Sequence, residues 1–166
     1  MLFIPAIQIT NIGTKLVDFW LKNKGKMQGN NYQIDKDPLL EIPIYAPSKN
    51  TQLIIAKLVD YIIYLKGVNR KISDYTTNET LVSMFEKVID AIIYELYFTD
   101  EIQSQQMDVI HLVAESLKQI DSKPVEEQII FLFNDWSDSK NEIRNRVILQ
   151  ETRSKSVSEI IKSMQY

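Results

Sequence analysis

The sequence predicts a mainly α protein, a multi-helix bundle with a small β element of short strands near the N-terminus. Three observations lead there. From Ser48 onward apolar residues recur at helical spacing, and the pattern largely persists to the end. Before Pro47 the chain instead alternates and turns, punctuated by Pro5, Pro38 and Pro43. A length of 166 residues, 45% hydrophobic and 25% charged, suits one globular unit able to bury a sizeable core. The expected organisation is a head over residues 1–47, with short strands and one helix, and a helical tail over 48–166 packed on it.

Residues 1–10 read as a short extended segment, with Pro5 placing it at an edge or just outside a sheet. Asn11 can cap a helix to about Asn23 with Ile12, Leu16, Phe19 and Trp20 on one face. Gly25 and the run from Met27 to Asn31 form a turn, Tyr32 to Ile34 a brief strand, and Leu39 to Tyr45 a second extended segment. Ser48 caps a long helix ending near Lys66-Gly67, with Ile54, Ile55, Leu58, Val59, Ile62 and Ile63 on one broad face.

After a polar connection, Asn78 and Glu79 open a second tail helix carrying Leu81, Val82, Phe85, Val88, Ile89, Ile92, Ile93 and Leu96. Asp100 and Gln103 suggest a capping box for a third, with Ile102, Val109, Ile110, Val113, Leu117 and Ile120 inward. Pro124, Glu126 and Glu127 suit the first turn of the next, ahead of Ile129, Ile130, Leu132, Phe133 and Trp136. The polar run around Ser139 interrupts it. A shorter helix then carries Ile143, Val147 and Ile148, and Ser156 with Glu159 forms a capping box before Ile160, Ile161 and Met164.

Several function classes are disfavoured. No apolar run approaches the ~18 residues of a membrane span, and the N-terminal MLFIPAIQI lacks the cationic start and cleavage site of a signal peptide. The absence of cysteine removes disulfides and thiolate metal sites, so an intracellular, cytoplasmic protein is expected. His111 is the sole histidine, lies among apolar positions, and reads as a partly buried structural imidazole rather than a catalytic base. The acid pairs Asp90 and Glu95, and Asp100 and Glu101, could formally hold Mg²⁺ but read more simply as polar faces and cap charges. No Walker loop, dinucleotide fingerprint or HExxH is present. The chain is not expected to be catalytic by itself.

Net charge is −3, unevenly distributed: residues 1–50 carry six Lys against four acids, and residues 51–166 carry thirteen basic residues against eighteen acids. Lys15, Lys22, Lys24 and Lys26 face only Asp18 in their stretch, so a phosphate-binding surface, if present, belongs there. Beside them Gln28, Asn30, Asn31 and Gln33 present amides of the kind that pair with adenine in a major groove, although Asn and Gln are equally turn residues.

Three stretches carry a resemblance. NKGKMQGNNYQIDKDPLLEIPI with APSKNTQLIIAKLVDYIIYLK resembles the end of the C-terminal target-recognition domain of type IIG restriction-modification methyltransferases, the group related to the Taq adenine-specific DNA methyltransferase. The matching features are Gly25-Lys26, Tyr32 to Ile34, Ile42-Pro43-Ile44 and Gln52. Type I specificity subunits close their recognition domains with a similar Ile-Pro segment and helix. FEKVIDAIIYELYFTDEI, residues 85–102, and NEIRNRVILQETRSKSVSEIIKSM, residues 141–164, resemble later segments of the type IIG group.

The resemblance implies a C-terminal recognition or docking piece. The parent group's S-adenosylmethionine site, Asn-Pro-Pro-Tyr catalytic loop and Mg²⁺-dependent nuclease motif are not found in this sequence. No cofactor is therefore expected in this chain. The implied partners are double-stranded DNA and a methyltransferase core. Lys22, Lys24 and Lys26 are candidate phosphate contacts; Gln28, Asn30, Asn31 and Gln33 are candidate polar contacts, assigned from residue chemistry and location. An incomplete head with apolar Phe3, Ile4, Ile7 and Ile9 also suggests self-association as a homodimer. The alternative is a helical protein-interaction module with no DNA contact.

Overall fold

The computed structural model describes residues 15–24, 26–28, 31–33 and 45–164. Among these the architecture is mainly helical, with eight helices. The first, α1 (Lys15–Lys24), is followed by a short antiparallel pairing of β1 (Lys26–Gln28) with β2 (Asn31–Gln33). Met27, Gln28 and Asn31 of the expected turn instead lie in these paired strands, while Gly29 and Asn30 lie outside the described residues. Three-residue strands are shorter than the expected head sheet, whose segments at 1–10 and 39–44, together with Ile34 and the Asn11 cap, lie outside the described residues.

The long helix α2 (Lys49–Gly67) starts where expected: Ser48 Oγ accepts the Thr51 N–H at 3.2 Å, satisfying one of the amides that a helix start leaves unpaired. Its buried stripe is Thr51, Ile54, Ile55, Leu58, Tyr61 and Leu65. Ile63, expected inward, is 63% exposed. At 100° per residue it lies about 200° around the helix from buried Tyr61, and the bulk of Tyr61 and Leu65 sets the inner face.

Helix α3 (Asn78–Tyr97) runs through the centre, capped by Thr77, whose hydroxyl accepts the Thr80 N–H at 3.2 Å. Its stripe is wide because it has several neighbours: Leu81, Phe85, Val88, Ile89, Ile92, Ile93 and Tyr94 are all buried. Phe85 stands between Tyr61 at 5.2 Å and Trp136 at 6.0 Å between ring centroids, joining α2, α3 and α6. Burying each such large apolar side chain contributes roughly 1.5–3 kcal/mol.

The expected single third helix is two. α4 (Thr99–Ser104) is a six-residue turn without a side-chain cap, so Asp100 is a first-turn acid rather than a capping residue. Gln105–Val109 breaks the chain, with Gln106 at φ 56°, and α5 (Ile110–Ile120) follows. Met107 and Val109 are nevertheless fully buried. The break persists because polar side chains from other helices satisfy its backbone.

α6 (Val125–Ser137) begins after Pro124 with Glu126 and Glu127 in its first turn. α7 (Glu142–Arg153) is capped by Asn141, whose side-chain oxygen accepts the Arg144 N–H at 3.1 Å. It buries Ile143 and Val147 but leaves Ile148 42% exposed. The final helix, α8 (Lys155–Ser163), is capped by Ser154, not Ser156: Ser154 Oγ accepts the Val157 N–H at 3.1 Å. Ser156 is engaged elsewhere, by Glu101.

Two apolar clusters result. The larger draws on α2, α3, α5, α6 and α7. The smaller gathers Tyr94, Ile102, Met107, Val157 and Ile160, with Leu16 and Phe19 of α1 against it. No helix among the described residues is long and apolar enough to cross a membrane.

Candidate nucleic-acid interface

The head's basic residues are distributed over α1 and the ribbon that follows. Lys22 lies in the last turns of α1, half-buried, and Lys24 is its final residue. One residue later the ribbon begins, in the register Lys26↔Gln33, Met27↔Tyr32 and Gln28↔Asn31. Asn30 lies outside the described residues.

Lys15 belongs to a different arrangement. Its backbone N–H donates to Asp90 Oδ1 and its Nζ pairs with Asp90 Oδ2, each at 3.4 Å, across 75 positions of sequence. Burial pushes the Asp90 carboxyl above the usual range; Lys15 opposes that shift and Glu151 adds to it. Lys15 is thus committed to the tail, leaving Lys22, Lys24 and Lys26 as the candidate phosphate cations.

Glu95 and Glu101, also considered for metal binding, are engaged as well. Buried Glu95 accepts the Val109 N–H at 2.6 Å and the Ile110 N–H at 2.9 Å, capping α5, whose own Val109 has no side-chain acceptor. Desolvation raises its pKa against those bonds. Glu101 accepts from Ser156 Oγ at 2.6 Å and Ser154 Oγ at 2.8 Å, which holds its carboxyl below the ordinary value. Among the described residues no group of three or more acids and histidines could hold a metal ion.

His111 departs from expectation. It is 53% exposed, with Nδ1 3.0 Å from Asp108 Oδ2, because the inner face of α5 is formed by Val113 and Ile120. Arg146 reaches Asp108 from α7, donating to its carbonyl at 2.6 Å and pairing with its carboxylate at 3.1 Å. Gln150 Nε2 donates to Met107 O at 2.8 Å. Sequence spacing carries no signal of these ties, or of Asp90 to Lys15, because the partners are far apart in the chain. Comparison with protein-family models, curated proteins and solved structures finds no match to this chain.

Proposed function

We propose that this chain is a non-catalytic DNA-recognition or docking piece of a restriction-modification methyltransferase, with a head that contacts double-stranded DNA and a tail that joins the methyltransferase core. The observation that supports it most is the order of the elements: Lys22 and Lys24 lie at the end of α1, and Lys26 opens the paired strands in register with Gln33. A two-stranded ribbon fits a major groove, where amide side chains read bases while lysines neutralise phosphates. In this reading the small β element continues beyond the paired strands, and S-adenosylmethionine and Mg²⁺ belong to the catalytic partner.

The test is binding of the full chain to duplex DNA across a salt series. Affinity should fall steeply with salt, and changing Lys22, Lys24 and Lys26 to Glu should abolish most of it while flattening the salt slope by about three phosphates' worth. Unchanged binding by the triple variant would remove the head from consideration.

A second reading, a helical interaction module with no DNA contact, draws on an open groove of about 610 Å³ between α3, α6 and α7. Met84, Phe133, Trp136 and Ile148 line it, with Lys87 and Glu151 among its polar residues. Under that reading Ile148→Lys weakens binding to the methyltransferase core and leaves DNA binding unchanged.

A further inference from the structure

We infer that Asp90 is the positioning residue by which the tail holds the head, so that DNA contact through the α1 and ribbon lysines depends on the joint between Asp90 and Lys15. The inference rests on the DNA-recognition reading proposed above.

Ten residues make α1 a helix that is marginal in water without tertiary support. Its first amides lack intrahelical partners, and an acid beside them is favoured by the helix dipole. Asp90 supplies both needs, since one oxygen accepts the Lys15 N–H and the other pairs with the Lys15 ammonium. Lys15 is thereby gripped at backbone and side chain by a carboxylate from the tail.

With α1 in place the Asp90 side chain is only 13% exposed, and a carboxylate so far out of water is costly unless paired. Among the described residues, the charged groups acting on it are Lys15 from α1, which is its cation, and Glu151 from α7. The phenol of Tyr94, one turn along α3, is buried without a hydrogen-bond partner. Apolar contact completes the joint: Val17 is buried, and Leu16 and Phe19 pack against the cluster of Tyr94, Ile102, Met107, Val157 and Ile160. Lys22 lies on α1 itself, so whatever orients α1 also orients that cation.

The experiment compares the full chain with Asp90→Ala and Asp90→Asn by hydrogen exchange, circular dichroism and fluorescence anisotropy on a mixed-sequence duplex. In Asp90→Ala the α1 amides should exchange at least about tenfold faster while those of α2 and α3 stay protected. DNA affinity should fall about tenfold. Asp90→Asn, which keeps a cap acceptor without the charge, should fall between, a graded rescue that simple unfolding of the tail would not produce. Equal α1 protection in wild type and Asp90→Ala would overturn the inference. So would a loosened α1 with undiminished DNA affinity, provided Lys22→Glu does weaken binding. A wild-type chain that binds no duplex overturns the DNA reading and with it the DNA consequence, while the exchange data still decide whether Asp90 holds α1.

Discussion

The centre of the bundle and the end where α4, α7 and α8 meet are closed by opposite means. Between α2, α3 and α6 the contact is aromatic and aliphatic, centred on Tyr61, Phe85 and Trp136, and its main polar element is the Tyr61 hydroxyl donating to Gln128 Oε1 at 2.5 Å. At the α4, α7 and α8 end, irregular backbone is buried and must be satisfied by side chains. Glu95, Arg146 and Gln150 do this for Gln105–Val109, and at the junction of α7 and α8 Glu101 accepts the Ser156 N–H and the hydroxyls of Ser154 and Ser156. The first region depends on volume. The second depends on particular oxygens and nitrogens, and it is the one against which α1 rests.

The largest test of that contrast is Phe85→Ala. Phe85 is fully buried between two rings, so the variant should lose about 3–5 kcal/mol in urea unfolding at unchanged m value. Glu95→Ala deletes little core volume yet strips two amides of their acceptor; a loss of about 2 kcal/mol is expected, with exchange at Val109 and Ile110 accelerated first. Equal losses over all helices would contradict a local cap.

A subtler separation comes from pH, since carboxylates within this end carry shifts of opposite sign. The Glu101 carboxyl lies below its ordinary value, so its contribution is present above its unfolded pKa and disappears as pH falls through the lowered folded value. Glu95 and Asp90 lie above theirs. Their contribution is full below the unfolded pKa and is lost as pH rises through the raised folded value. Glu101→Gln should therefore destabilise by about 1 kcal/mol at neutral pH and by almost nothing in acid. Glu95→Gln should compare more favourably with wild type at neutral pH than in acid. Stability measured by denaturant at several pH values checks both, and parallel curves for the two variants would refute the distinction.

The smallest effect is expected at Ile63. Ile63→Lys should change stability by no more than about 0.5 kcal/mol, because the side chain is mostly exposed. A large loss would mean that α2 has a second buried face.

Helix starts with a local chemical cause were legible in the sequence. Ser48 caps α2, and Pro124 with two glutamates opens α6, because capping and first-turn charge act within a few residues. Misreadings fall where a distant partner intervenes. Ser154 rather than Ser156 caps α8 because the helix already begins at Lys155, where Glu101 accepts from both serine hydroxyls, and the third tail helix divides at a loop held by α3 and α7. The candidate interface was legible as a list of lysines and amides, but not that Lys15 is committed to Asp90, nor that Lys26 pairs in register with Gln33.

By itself the sequence determined that the tail is helical, roughly where most helices begin, and that the head is its basic part, since periodicity, caps and charge are local properties. Only the tertiary structure decided which of two apolar faces is buried at Ile63, which acid is held ionised and which is pushed toward neutrality, and that a carboxylate on α3 grips the start of α1. Those outcomes depend on burial and on partners dozens of residues away, and no local pattern encodes either.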